Sequence, residues 1–304
     1  MTSSSKAEST VAVTGASGLI GRALVPALRA KGHRVLRLVR GAATNPDEVQ
    51  WDPKTGTVDL AALAGTQAVI HLAGAGVGDH RWSDAYKEEI RNSRVLGTRT
   101  IATALAALQP KPTVLVSGSA IGYYGDTGDR AVDETSPPGT GFLADVVQEW
   151  EAATAPATAA GIRVAHARTG LVVAKQGGAW ARLFPIFRLG LGGKLGSGRQ
   201  YWSWISLRDE VAALIYLLES DLSGAVNLTA PNPATNAEVT AAMGKVLGRP
   251  TLFPVPAVAL KTALGEFSTE ILSSARVLPT VLERAGFQWQ DRDIASAIST
   301  ALDR

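Results

Sequence analysis

Residues Val11–Gly21 read VAVTGASGLIG: an apolar run, a turn with glycines at 15, 18 and 21, and the start of an apolar, helix-compatible segment, Leu19–Ala30. Strand, glycine turn and helix in that order are the setting in which spaced glycines make a dinucleotide site. Gly15 permits the tight turn, Gly18 lets the backbone approach a pyrophosphate, and Gly21 lets the helix pack closely on the strand. The helix N-terminus presents free N–H groups and the positive end of its dipole to the phosphates. The spacing is G-x-x-G-x-x-G, one residue longer in its first step than the commonest dehydrogenase fingerprint. Taken alone, such a turn is also compatible with a glycine-rich bend that holds nothing.

The sequence on either side of this turn has the same texture as far as about residue 175. Short apolar runs (Val11–Thr14, Arg34–Val39, Ala68–Leu72, Thr113–Val116, Arg163–Ala167) alternate with helix-like segments (Leu19–Ala30, Tyr86–Leu108, Phe142–Gly161). That alternation predicts an α/β, Rossmann-like doubly wound parallel sheet with helices on both faces. Right-handed crossovers then bring the strand C-termini to one edge, where ligands bind. Beyond 175 the pattern changes. Gly177–Gly198 holds seven glycines and reads as a loop-rich connector. Tyr201–Ile205 and Gly224–Leu228 read as strands, with a helix over Asp209–Leu218. Helices are expected over Asn236–Leu247, Ala257–Gly265 and Val277–Ala285, forming a small, mostly helical C-terminal substrate lobe. The expected division is a disordered tail at 1–10, a dinucleotide-binding domain from 11–175 and 201–230, and a substrate lobe from 176–200 and 231–304.

The 304 residues are 46% hydrophobic, enough for a full core. No uncharged apolar run reaches 18 residues, so no membrane span or membrane partner is expected. The start, MTSSSKAEST, lacks the apolar segment of a secretory signal. There are no cysteines, which excludes disulfides, thiolate nucleophiles and cysteine metal sites and fits a cytoplasmic location. The net charge is +3, with no basic run and no aromatic–basic interleaving, which argues against nucleic acid. His33, His71, His80 and His166 are scattered, without metal-ligand spacing.

The end of the second strand selects the nucleotide. NAD-binding folds place an acid there to accept from the ribose 2′-hydroxyl. Here the strand ends Leu38, Val39, Arg40, Gly41, and no acid occurs until Asp47. Arg40 stands where a 2′-phosphate would lie, Arg37 is near, and Ser17 offers a further hydrogen bond. Guanidinium matches phosphate geometry, so NADP(H) is expected over NAD(H). The competing reading is two solvated arginines at a strand end.

Further motifs make the expectation specific. HLAG (His71–Gly74) follows the fourth expected strand, NSRVLGT (Asn92–Thr98) lies on a long helix, VSGSAIGYYG (Val116–Gly125) follows the fifth, and ISLRDEV (Ile205–Val211) comes late. With the glycine turn, these resemble the extended short-chain dehydrogenase/reductases. The resemblance is closer to their atypical branch of epimerase family proteins, described as sugar-nucleotide epimerase-like. It is carried by WDPKTG (Trp51–Gly56), GFLADVVQEWE (ending Phe142–Glu151), LGLGGKLGSGRQ (Leu189–Gln200), the W-I-S-x-x-D of Trp204–Asp209 and a tail with RP, VP, GE and AGF. It extends from Val11 to Ile298. The resemblance implies that Gly15, Ser17, Gly18, Leu19, Ile20 and Gly21 hold the pyrophosphate. Arg40 would hold the adenosine phosphate, and Leu72, Ala73 and Gly74 would line the nicotinamide ribose. Ser117 and Ser119 would face the nicotinamide.

The chain departs from that pattern where the chemistry belongs. Ordinary members carry a Tyr and a Lys four residues later, the Lys helping the Tyr act as acid or base. The matching positions here are Phe142 and Val146, and no tyrosine in the chain has a lysine at that spacing. Ser119 occupies the serine position. Tyr123 and Tyr124 are the candidate replacement proton donors, against the reading that they pack under their loop. Asp145 and Glu149 share a helix face and otherwise read as solvated charges. An arginine that meets the diphosphate in sugar-nucleotide enzymes is replaced by Trp202. Arg182, Arg188, Lys194 and Arg199 would suit an anionic small-molecule substrate, or a solvent-facing loop. A homodimer is the expected assembly. Two functions are therefore open: an NADP(H)-dependent oxidoreductase or epimerase-like enzyme with a non-standard acid, and a non-catalytic NADP(H)-binding sensor or interaction module.

Overall fold

In the computed structural model, which describes residues 9–303, the opening elements are β1 (Thr10–Thr14), α1 (Leu19–Ala30) and β2 (Arg34–Val39). Residues 1–8 of the expected tail lie outside the described residues, and Thr10 already belongs to the first strand. Next come β3 (Glu48–Asp52), β4 (Thr57–Val58), α2 (Leu60–Leu63), β5 (Ala68–His71), α3 (Asp84–Ala107) and β6 (Val114–Ala120). The middle of the chain forms β7 (Ala131–Val132), α4 (Phe142–Ala152), α5 (Ala155–Ala159), β8 (Arg163–Thr169), β9 (Leu171–Val173) and α6 (Gly178–Arg188). Then follow β10 (Tyr201–Trp202), β11 (Trp204–Ser206), α7 (Leu207–Glu219), β12 (Gly224–Leu228), β13 (Ala234–Thr235) and α8 (Asn236–Leu247). The chain closes with α9 (Ala257–Leu264), α10 (Ser268–Leu272), β14 (Arg276–Val277), α11 (Thr280–Arg284) and α12 (Ile294–Leu302).

The main sheet has eight strands in the order β12-β8-β6-β5-β1-β2-β3-β4. Every neighbouring pair is parallel except β3 with β4. The two-residue period of the strands separates the faces. Val11, Val13, Ile70 and Val116 pack with Leu24 and Leu28 of α1 and Leu214 and Leu217 of α7. Ala12, Val69, Leu115 and Val164 pack the other way, with Ile101 and Leu105 of α3 and Ala157 of α5. This is the doubly wound α/β architecture that the alternation predicts. A second core joins α6, α8 and α12 through Trp180, Phe184, Phe187, Trp204, Met243 and Ile298.

Several expected boundaries move, for identifiable reasons. The stretch Gly177–Gly198 is not simply a connector. Between its glycines α6 buries Trp180, Phe184 and Phe187, a 4-then-3 spacing that keeps one face apolar. The helix expected over Phe142–Gly161 breaks after Ala152 and restarts with Pro156 in its first turn, where a missing N–H costs nothing. Val277 ends a strand paired with β7, and the helix there is only Thr280–Arg284. Tyr201–Ile205 is interrupted at Ser203, whose side chain reaches the backbone of Ala275 and Val277. β3 and β4 make HLAG follow the fifth strand, and Val116–Ala120 lies within β6.

Candidate functional site

Parallel pairing places the C-terminal residues of β1, β2, β5, β6 and β8 along one edge, and most of the singled-out residues gather there. Gly15 has φ +67°, and a Cβ on it would stand 2.8 Å from the Leu72 carbonyl. A Cβ on Gly21 would collide with the Gly15 carbonyl oxygen, so both glycines are required by packing. Gly18 differs: its would-be Cβ meets only the Gly15 oxygen, at 3.2 Å, and otherwise faces open space. Gly18 caps α1 without a side-chain hydrogen bond, and no acid occupies the first turn. The helix start, with Leu19 and Ile20, therefore offers backbone donors to an external anion.

Thr14 joins this turn to the end of β5. Its Oγ1 accepts from the backbone N–H groups of Leu72 (3.0 Å) and Ala73 (3.1 Å) and lies 2.7 Å from His71 Nδ1. With both acceptor sites taken, the threonine hydrogen goes to Nδ1, which fixes the histidine as the Nε2–H tautomer. Burial lowers the His71 pKa to about 4, so the ring is neutral at physiological pH. His71 is thus a structural member of the β1–β5 junction.

Arg40 is exposed just past β2 and has no ion-pair or hydrogen-bond partner among the described residues. Asp47 faces Arg29 at 3.3 Å and Arg34 at 3.6 Å, at the opposite end of β2. Arg37, by contrast, is committed to Glu48 at 2.8 Å. Ser17 is exposed in the turn, its carbonyl accepting from Arg22 at 2.6 Å.

Ser119, Tyr123 and Tyr124 come together around Arg168. The Ser119 hydroxyl donates to Glu151 Oε1 at 2.6 Å. Arg168 donates to both Glu151 oxygens, at 2.7 and 2.8 Å, and to the Tyr124 oxygen at 2.9 Å. Tyr124 donates to Asn227 Oδ1 at 2.8 Å. Burial pushes the Tyr124 pKa up to about 12, although Arg168 opposes the shift. Burial also opposes ionisation of Glu151, yet Arg168 and Ser119 hold it below the usual carboxylate range. Tyr123 is only half-buried, with the Arg168 guanidinium 3.4 Å above its ring. Ser117 is fully buried, its hydroxyl reaching only the Gly118 carbonyl at 3.3 Å.

The positions of the missing relay lie in an apolar cluster. Val146 is buried with Trp82 and Ile90, and Phe142, Val77, Tyr86 and Phe267 pack on them. Trp82 meets Phe142 edge-on at 5.1 Å. Asp145 is exposed, and Glu149 pairs on the surface with Arg91 at 2.7 Å; both are solvated charges. Of the four basic residues considered for an anionic substrate, Arg182 alone reaches the loop after β5, donating to Gly78 O at 2.7 Å.

Sequence reading missed Arg94, on α3. Its Nη1 donates to Ala75 O (2.9 Å) and Ile90 O (3.1 Å), and its guanidinium lies 5.1 Å from the Trp150 ring centroid. A Cβ on Gly74 would stand 3.4 Å from its Cζ. No carboxylate pairs with it, and burial lowers its pKa to about 10, so it remains charged. Among the described residues its hydrogen bonds are made by Nη1, leaving Nε and Nη2 without a partner. The signal was present in the S-R pair of NSRVLGT, but only the fold puts Arg94 behind Gly74. Among the described residues no group of three His, Asp or Glu is placed to hold a metal, and no helix is long and apolar enough to cross a membrane.

A doubly wound parallel sheet with an uncapped glycine turn at its central edge, joined to a helical C-terminal region, defines an extended short-chain dehydrogenase/reductase. Residues 11–228 match the NAD dependent epimerase/dehydratase family, and residues 255–301 match a domain of unknown function, DUF1731. The chain belongs to that epimerase/dehydratase family. It is 48% identical over 300 residues to an epimerase family protein of Mycobacterium bovis, covering 98% of this chain and 99% of that one. Human epimerase family protein SDR39U1, solved with NADPH, superposes with a TM-score of 0.88 at 30% identity, over 97% of this chain and 99% of that one. A nucleoside-diphosphate sugar epimerase from Corynebacterium glutamicum superposes at 0.80 with 37% identity, over 97% of this chain and 58% of that one.

Proposed function

We propose that this protein binds NADP(H) and acts as an oxidoreductase or epimerase-like enzyme on a small anionic substrate, with Tyr123 supplying the proton. The observation that carries the cofactor reading is the unpaired, exposed Arg40 just past the end of β2. When bound, the nicotinamide cofactor supplies or accepts a hydride. The N-terminal donors of α1 and the open side of Gly18 receive its pyrophosphate. Arg40 and Ser17 hold the 2′-phosphate, and Leu72, Ala73 and Gly74 line the ribose, with the free N–H groups of Arg94 behind them. The NADPH in the human relative's structure supports this reading.

For the chemistry, Tyr123 is favoured over Tyr124 because it is half-buried, while the Tyr124 hydroxyl is already engaged on both sides. Arg182, over the loop after β5, is the cation best placed for an anionic group. Trp202, where sugar-nucleotide enzymes carry a diphosphate-binding arginine, weighs against a nucleoside-diphosphate sugar. The domain division of 11–175 with 201–230, and 176–200 with 231–304, goes with this reading: the first part holds the cofactor and the second covers it.

One observation favours the sensor reading as a second possibility: Phe142 and Val146 sit in an apolar cluster where a proton relay would be. Fluorescence titration with NADPH and NADH tests the cofactor. Losing a charge-assisted hydrogen bond costs about 1.5–3 kcal/mol, so NADPH should bind about 10- to 150-fold tighter. Arg40→Ala should remove most of that preference, and equal affinities for wild type would refute it. Screening carbonyl compounds for NADPH oxidation then separates enzyme from sensor.

A further inference from the structure

Eight large hydrophobic side chains are exposed among the described residues, and six of them lie on one part of the C-terminal region. Leu189, Leu252 and Val258 are each 74% exposed, with Phe253 at 56%, Leu191 at 55% and Ile186 at 45%. The two loops that carry most of them are held together. Gly196 N donates to Val255 O at 2.9 Å and Val255 N to Lys194 O at 2.8 Å, zipping the loop after α6 to the loop before α9. A Cβ on Gly190 would touch Pro250 at 3.7 Å. The result is an apolar patch built by two loops and flanked by α6 and α9.

The two segments that build this patch carry an excess of basic side chains. Residues 183–200 contain Arg188, Lys194 and Arg199 and no acid, and residues 245–261 contain Lys245, Arg249 and Lys261 and no acid, the exposed Glu238 and Glu266 lying beyond them. All six are exposed, and among the described residues none pairs with a carboxylate. Arg249 adjoins Pro250, and Lys261 follows Val258 by one helical turn. Protruding aliphatic side chains ringed by unpaired cations are the pattern of a surface that rests on anionic lipid.

We propose that this face docks peripherally on an anionic lipid bilayer. A second copy of the chain fits less well, because two such faces meeting bring like charges together. Nucleic acid fits less well, because the patch is mainly aliphatic and holds one exposed aromatic ring, Phe253, rather than the series of rings on which successive bases stack. The patch is separate from the cofactor edge. α6 begins at that edge, where Gly177 meets Leu19, and ends at Arg188, roughly 15 Å away along its axis. Docking therefore leaves the glycine turn open. Sequence reading expected no membrane partner because it looked for a span, and this surface is assembled from two distant loops.

Vesicle flotation of the full chain tests the proposal, using phosphatidylcholine alone and phosphatidylcholine mixed with phosphatidylglycerol. The protein should float with the mixed vesicles, float poorly with phosphatidylcholine alone, and release as salt rises. Leu252→Asp with Phe253→Asp should reduce partitioning at least about tenfold, and Arg249→Glu with Lys261→Glu at least about 25-fold, since each cation contributes about fivefold. Unchanged melting temperature and NADPH titration in these surface variants show that they fold. Absence of flotation with anionic vesicles, or flotation that none of these changes reduces, would overturn the proposal. So would a wild-type dimer that the Leu252 and Phe253 changes convert to monomer, or DNA binding lost on the charge reversals without any vesicle binding.

Discussion

Arg168 grips Glu151 with two parallel contacts, Nε to Oε1 at 2.7 Å and Nη2 to Oε2 at 2.8 Å, joining β8 to the end of α4 beneath Ser119. The side chains are 4% and 12% exposed, so both charges are largely withdrawn from water. Ser119, Tyr124 and Arg168 form one network through this pair, and Asn227 extends it to β12.

Breaking one side of such a pair leaves an uncompensated buried charge. Arg168→Met or Glu151→Gln should each cost about 3–5 kcal/mol of stability. The double variant Glu151→Leu with Arg168→Met should cost less than the two single effects added, because it leaves no orphaned charge. Urea denaturation measures all three. Single-variant losses below about 1 kcal/mol would show that water reaches the pair.

The glycine turn separates folding from binding. Gly21→Ala places a methyl against the Gly15 carbonyl oxygen and should cost roughly 1–3 kcal/mol as α1 is pushed off β1. Gly18→Val meets little protein and should melt near the wild type, while losing the thermal shift that NADPH produces. A Gly18→Val protein that still gains that shift would move the cofactor elsewhere.

What was legible in the sequence was whatever repeats with a short period. α1, β2, β12 and α8 fall on their expected residues because each shows an unbroken apolar rhythm. α6 was hidden because glycines flank it, although Trp180, Phe184 and Phe187 carried the helical spacing. The residues of the glycine turn could be named because their roles depend on local geometry. The surroundings of Ser119 could not: Glu151 is 32 residues away and Arg168 49, and their meeting depends on how β6, β8 and α4 stack. Arg94 likewise gained significance only when α3 placed it behind Gly74.

The two neighbouring tyrosines should respond differently to loss of the hydroxyl. Tyr124→Phe removes hydrogen bonds to Asn227 and Arg168 inside the network and should lower stability by about 1–3 kcal/mol. Tyr123→Phe keeps the ring under the Arg168 guanidinium and should leave stability nearly unchanged. If a turned-over carbonyl compound is found, Tyr123→Phe should slow it about 10²–10⁴-fold. Full activity in Tyr123→Phe, with the loss in Asp145→Asn instead, would assign the proton to the carboxylate.

Glu210 gives stability a pH dependence of known sign. It is fully buried on α7; its Oε1 accepts from the Thr169 hydroxyl at 2.8 Å, and its Oε2 has no partner. Burial raises its pKa from 4.5 to about 8, with the Thr169 hydrogen bond opposing the change. Between those values the folded protein binds a proton that the unfolded chain releases, so stability falls as pH rises through this window. Every tenfold difference in proton affinity between the two states is worth about 1.4 kcal/mol, which puts the full effect on the order of a few kcal/mol. Glu210→Gln stays neutral at every pH. Relative to wild type it should gain stability progressively from about pH 5 to pH 9 and level off above the folded-state pKa. Comparing the two proteins at each pH cancels other groups, including His71, whose lowered pKa acts in the opposite direction at acid pH. A wild-type-minus-variant difference that stays flat across that range would mean Glu210 ionises freely in the folded state.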